Sequence, residues 1–252
     1  MMDHLTPTMV FFALLGGVLP AVFWLWFWLK EDDLHPEPRG LLILSFLVGM
    51  LATAIAYPTE QYIAKHFNLS SVGLLFLWAA AEETLKFVGI YIIALRSKYF
   101  DEPIDAVIYL ITIALGFASL ENTMFLINPL ATGDWAATIM LGDFRFIGAT
   151  LLHVAASGMV GIVLALAFYM EHRKRYLISL LGLLGAIVLH TLFNFSIIVS
   201  EGVYLYEIFV CLWVFVLAIL LLCEKIKRMA PRSHVEYPHT GSIIIPHKNY
   251  TT

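Results

Sequence analysis

Seven runs of mostly apolar residues recur along the chain, near 9–29, 41–57, 72–95, 104–128, 146–170, 177–199 and 204–223. At a helical rise of about 1.5 Å per residue, about 20 such residues cross the roughly 30 Å hydrocarbon core of a bilayer. Short polar segments separate the runs: 30–40 with its two prolines, 57–71, 96–103, 128–145 and 171–176. The second run is the shortest. The pattern predicts an all-α fold, a polytopic membrane helical bundle of about seven transmembrane helices. Beyond Lys225 the composition turns polar and Pro-bearing, so residues 1–228 form one domain and 229–252 are expected to be a mobile cytosolic tail.

Composition strengthens the membrane reading. Of the 252 residues 60% are hydrophobic and 13% charged, with a mean hydropathy of +0.84, against about 45–50% and about 25% in soluble domains. Twelve of the fifteen Lys and Arg lie after runs 1, 3, 5 and 7, while Lys65 and Arg145 lie on the other side and Lys86 inside a run. The positive-inside rule then puts the N-terminus outside and the C-terminus in the cytosol of a multi-pass cell-membrane protein. No basic face exists for nucleic acid. Met1 to Thr8 lack Lys and Arg, so the first run reads as a retained helix, not a cleavable signal. Cys211 and Cys223 are about 18 Å apart on one helix and cannot pair. The tail residues His234, His239 and His247 read as solvated side chains. Asn68 and Asn249 begin N-x-[ST] triplets that sit badly for glycosylation. The pairs Gly158/Gly161 and Gly182/Gly185 predict close helix packing.

The informative departures are polar groups inside the runs: Glu82, Glu83, Lys86, Glu121, Asn122, His153, His190 and Asn194. A carboxylate in hydrocarbon costs several kcal/mol, and interhelical hydrogen bonds average about 0.6 kcal/mol, so packing alone is a poor reason to keep acids there. Counting about 1.5 Å per residue, the acids, imidazoles and amides fall between about the bilayer midplane and about 9 Å to its outer side. Four helices thus contribute to one polar layer. Lys86 is i+4 from Glu82 and i+3 from Glu83, close enough to neutralise either. His190 and Asn194 are i, i+4 and aim at one point.

A buried carboxylate can serve as a general base for water, and a His with an Asn can stabilise an oxyanion. Those are the parts for water attack on an amide carbonyl. Glu121, His153 and His190 are also candidate metal ligands, so zinc is compatible with the sequence, although no H-E-x-x-H spacing demands it. Asp101, before Pro103, reads as the N-cap of the fourth helix.

These motifs, in this order, resemble the PrsW family of intramembrane proteases, a branch of the group that contains the type II CAAX prenyl proteases. The residues concerned are Glu82-Glu83-x-x-Lys86, Phe100-Asp101-Glu102-Pro103-x-Asp105, Gly116-Phe117-Ala118-x-x-Glu121-Asn122, His153 and His190-x-x-x-Asn194, with the loop His35-Pro36-Glu37-Pro38 before them. The resemblance spans roughly residues 10–225. It implies an endopeptidase of glutamic or metallo type that cuts membrane-tethered proteins, anti-sigma factors among them, near the outer face. It further implies that Glu82 or Glu83 activates water while His and Asn hold the oxyanion, with Lys86, Asn122 and Phe117 in support. Where the CAAX group has F-x-x-x-H, this chain has Phe117-x-x-x-Glu121, which leaves the identity of the base and the use of a metal open.

Two other classes fit less well. A non-catalytic scaffold or chaperone of the same superfamily has no need of both glutamates. A proton- or ion-coupled transporter would show inverted repeats and broken helices, which the sequence lacks.

Overall fold

The computed structural model describes residues 6–32 and 35–229. Among these the chain folds into α1 (Pro7–Leu29), α2 (Arg39–His66), α3 (Ser71–Ile93), α4 (Asp105–Ala131), α5 (Trp135–Phe144), α6 (Thr150–Leu166), α7 (His172–Val199) and α8 (Leu205–Ile226). A 3₁₀ turn, Lys30–Asp32, extends α1, and a π turn, Arg145–Ala149, joins α5 to α6. No strand occurs among the described residues. Six helical segments are long and apolar enough to cross a membrane, with Trp135–Leu166 counting as one rod. The 23-residue α3 is long enough too, but carries Glu82, Glu83 and Lys86 at its middle. The fold is a polytopic helical bundle. The tail, 230–252, lies outside the described residues.

Two expected loops are largely helix. α2 runs on to His66 instead of ending near residue 57. The residues after Pro58 are good helix formers such as Glu60, Gln61 and Ala64, and Pro58 is tolerated where packing and side chains meet the freed carbonyls. Thr59, the next residue, donates its hydroxyl to Ile55 O at 2.8 Å. The segment 128–145 is likewise not a loop. α4 continues to Ala131, Gly133 turns the chain at φ +75°, and Asp134 caps α5 by accepting from Ala137 N at 2.9 Å. Its residues 135–142 are mostly apolar, so a polar-loop reading gave too much weight to Asn128, Asp134 and Arg145.

α4 is the centre of the bundle. Every residue from Asp105 to Ser119 is buried, as expected of a helix that is apolar on all sides. It packs on α1, α2, α3 and α6, while α7 closes a ring by touching both α3 and α6. The polar groups of α3, α4, α6 and α7 therefore face a shared interior. Glycines set the closest approach: a Cβ on Gly116 would fall 2.0 Å from Phe46 O, and one on Gly49 2.1 Å from Ile113 O. One turn on, Thr53 Oγ1 donates to Phe117 O at 2.8 Å. Gly116→Ala is expected to push α2 off α4 and cost about 1–3 kcal/mol. A thermal unfolding midpoint in detergent equal to wild type would contradict that contact. The predicted small-residue packing is present as well, with a Gly161 Cβ meeting Val107 Cα at 2.7 Å and a Gly182 Cβ meeting Val163 at 3.1 Å.

At the other end, Lys227 Nζ bonds Glu31 Oε2 at 2.5 Å and Glu224 Oε1 at 2.7 Å, tying α8 to the end of α1. Partial burial works against the Lys227 charge, but these two bonds win and hold its pKa above the ordinary value.

Candidate active site

α3 presents Glu82, Glu83 and Lys86 on its inner face, all at most 5% exposed. Lys86 Nζ donates to Glu83 Oε1 at 2.7 Å and lies 3.9 Å from Glu82 Oε2. From α6, His153 places Nδ1 2.9 Å from the same ammonium. An ammonium can only donate, so Nδ1 is the acceptor and the ring proton sits on Nε2. That nitrogen in turn donates to Glu121 Oε2 of α4 at 3.0 Å. From α7, His190 Nδ1 bonds Glu83 Oε1 at 2.8 Å and its Nε2 lies 3.9 Å from Glu82 Oε2. The two imidazoles meet edge to face with centroids 5.2 Å apart. Phe117 floors the site, its ring centroid 4.3 Å from Lys86 Nζ and 5.1 Å from His153.

All of the expected polar layer except Asn194 is thus a single network. Glu121 differs from the other acids in facing a second cation: Arg145 forms an ion pair with it. The same guanidinium donates from Nε to Asn122 Oδ1 at 2.6 Å and stacks on Phe125 at 3.9 Å. Asn122 Nδ2 then donates to Thr150 Oγ1 at 2.9 Å. Asn194 stands one turn beyond His190, half-buried, and its side chain makes no hydrogen bond among the described residues.

Two site residues were missed by the sequence reading. Arg145 was counted as a loop charge, yet the π turn carries it to the start of α6, eight residues before His153 and so about two turns away on one face. Glu60 was assigned to a loop; on the extended α2 its carboxyl lies beside Glu82 and Glu121, while Trp78 Nε1 donates to its carbonyl at 3.1 Å. The helix-forming composition after Pro58 was the available signal. A separate apolar groove of about 500 Å³, lined by Phe12, Leu126 and Trp135 among others, contains none of these groups.

One atom stands out. Glu82 Oε2 is buried without a hydrogen-bond partner, whereas Glu83 is held by Lys86 and His190. An orphaned buried carboxylate oxygen requires a ligand, a water or a proton. Glu82, Glu83, His153 and His190 offer one ligand atom each, all within 4.8 Å of one another. Two carboxylates and two imidazoles are an ordinary zinc donor set, so these residues fit a divalent metal that displaces the Lys86 ammonium from His153 Nδ1 and Glu83 Oε1. Glu121, a candidate ligand together with His153 and His190, lies outside that group and is paired with Arg145 and His153. Glu82 and Glu83 stand in its place.

The model of a family described as the PrsW family intramembrane metalloprotease matches residues 37–222. The chain is 28% identical over 212 residues to Protease PrsW of Geobacillus kaustophilus, covering 81% of this chain and 88% of that protein. It is 26% identical to Protease PrsW of Halalkalibacterium halodurans over 194 residues, 73% and 83% of the two chains. With Protease PrsW of Bacillus subtilis the identity is 25% over 166 residues, 64% and 68% of the two chains. No solved structure matches. The match covers four of the helices that build the polar interior and six apolar spans surround or contribute to it, so this multi-pass membrane protein belongs to the PrsW family of intramembrane metalloproteases and is a peptidase.

Proposed function

We propose that the enzyme hydrolyses a peptide bond of membrane-tethered proteins, with Glu82 as the base that activates water. The observation that carries this reading is the unpartnered Oε2 of Glu82, 3.9 Å from His190 Nε2. That gap is too long for a direct hydrogen bond and suits one small guest held by both atoms. Glu83 Oε1 is held by Lys86 and orients His190 through Nδ1, which leaves Nε2 to face the guest. Lys86 compensates the charge of the glutamate pair.

On this reading Glu82 takes a proton from water as it attacks the scissile carbonyl, then returns it to the leaving amine. With Nδ1–H on Glu83, His190 donates from Nε2 as an imidazolium, and together with the free Asn194 amide it supplies donors to the oxygen that becomes negative. Glu121, fixed by Arg145, holds the His153 ring in its tautomer. When bound by Glu82, Glu83, His153 and His190, a zinc ion would polarise water or the carbonyl.

The cluster reaches the surface through Glu121 and Arg145, whose side chains are 22% and 12% exposed. They lie toward the end of the bundle formed by the α2–α3 and α4–α5 turns. The positive-inside rule makes that end the outer face, with the N-terminus outside and the C-terminus cytosolic. Substrates are accordingly proteins cut near the outer membrane surface, anti-sigma factors being one such class.

Quantitative proteomics of medium and membranes tests this. Cells lacking the protein are complemented with wild type or Glu82→Gln. A short set of ectodomain fragments released only by wild type is expected. Identical fragment profiles, with both forms stably inserted, would rule out proteolysis by this site.

A further inference from the structure

A second cluster of acids lies at the opposite end of the central helix, and the reading above makes no use of it. Asp32 closes the 3₁₀ turn after α1, Glu102 sits in the α3–α4 loop, and Asp105 is the first residue of α4. Sixteen residues separate Asp105 from Glu121, or about 24 Å along the helix. One carboxylate oxygen from each of the three acids lies within 4.8 Å of the others. Asp32 is 5% and Asp105 2% exposed.

The expectation that Asp101 caps α4 does not hold, and its failure is informative. Ile104 occupies the N-cap without a side-chain bond, while Asp105 Oδ2 accepts from Asp101 N at 2.9 Å and Glu102 N at 2.7 Å. These bonds fold the loop so that Glu102 turns back toward Asp105. Tyr109 donates its hydroxyl to Glu37, which packs against Asp105 as a fourth acid. Positive charge is scarce. Lys227 is spent on Glu31 and Glu224, and His35 Nδ1 lies 3.0 Å from Glu102 Oε1 at the exposed rim.

The decisive observation is independent of the clustering. Asp32 Oδ2 is fully buried and has no hydrogen-bond partner. A buried carboxylate oxygen left bare among other carboxylates is costly unless a cation or proton meets it. We propose that Asp32, Glu102 and Asp105 bind a divalent cation that prefers oxygen ligands, Mg²⁺ or Ca²⁺, at the end of the bundle remote from the glutamate–histidine site. All-carboxylate donors at this spacing suit hard cations better than zinc. The bound ion would clamp the α1–α2 connection and the α3–α4 loop onto the start of α4, the helix that carries Phe117, Glu121 and Asn122. This inference does not rest on the proposed mechanism.

The test uses the full chain in detergent, stripped with EDTA and titrated with Mg²⁺ or Ca²⁺ alone, following the thermal midpoint. One of the two cations is expected to raise the midpoint by about 5–10 °C at about 100 times its Kd. His190→Ala should keep that rise, because the remote glutamate–histidine site is not involved. Asp32→Asn and Glu102→Gln should each weaken the apparent affinity at least about tenfold, a change worth about 1.4 kcal/mol. Glu102 is partly exposed, so its variant keeps the test alive if Asp32→Asn does not fold. The proposal is overturned if neither cation shifts wild type, if Glu102→Gln responds like wild type, or if His190→Ala abolishes the shift.

Discussion

Glu82→Gln is expected to lower the rate of substrate cleavage by about 10²–10⁴-fold, the usual contribution of a positioned general base. Gln keeps the size of the side chain and loses only the ability to take a proton. Because Glu82 Oε2 has no hydrogen-bond partner, an amide breaks no hydrogen bond at that atom, and the thermal midpoint should stay near wild type. Glu83→Gln should behave differently. It turns the carboxylate shared by Lys86 and His190 into a neutral amide and weakens both charge-assisted bonds, so activity and midpoint should fall together. Single-turnover cleavage of a one-span reporter in proteoliposomes separates the two cases, since loss of a base lowers kcat with little change in KM. A Glu82→Gln enzyme with more than about a tenth of the wild-type rate would falsify the assignment of the base.

Lys86→Met carries the largest expected effect on stability. The ammonium is 1% exposed and lies 2.7 Å from Glu83 and 3.9 Å from Glu82, so its removal leaves buried acids uncompensated. Breaking a buried ion pair from one side costs about 3–5 kcal/mol, which lowers the midpoint by about 6–20 °C in a chain of this size. Neutralising the stranded partner should recover much of the loss, so Lys86→Met/Glu83→Gln is expected to melt above Lys86→Met. This cycle distinguishes charge compensation from simple packing of the lysine stem. If the double variant is less stable than the single one, compensation is not what Lys86 provides.

The two experiments read different parts of one network. Glu82 is the acid left open, and Glu83 is the acid tied down by Lys86 and His190. Adjacent residues on α3 have unlike tasks because successive side chains on a helix point about 100° apart, and only one can face a given neighbour. The outer rim of the network, Glu121 with Arg145, is more exposed than its centre.

Apolar run length alone located every helix of the bundle except α5, because burying a backbone in lipid leaves the chain little choice besides a helix. The same logic picked out Glu82, Glu83, Lys86, Glu121, Asn122, His153 and His190, since ionisable groups inside such runs need a reason to be there. It failed where charge lay near a run's edge. Glu60 and Arg145 looked like loop residues because a hydropathy pattern does not say whether a helix continues past the membrane. The π turn that swings Arg145 onto Glu121 has no sequence signature of its own. Asp101 looked like the N-cap of α4, but it is Asp105, inside the helix, that reaches back to accept from the loop N–H groups of Asp101 and Glu102.

Sequence by itself determined the class of fold, the membrane setting and the depth at which polar side chains gather, because one-dimensional spacing along a helix converts directly into height. Only the tertiary structure decided which of those side chains meet. Height does not give rotation about the helix axis, and the packing of α3, α4, α6 and α7 around glycine contacts such as Gly49 and Gly116 is what fixes that rotation. It is this packing that ties Glu83 to Lys86 and His190, leaves Glu82 open, and brings the buried Asp32 to the foot of the central helix.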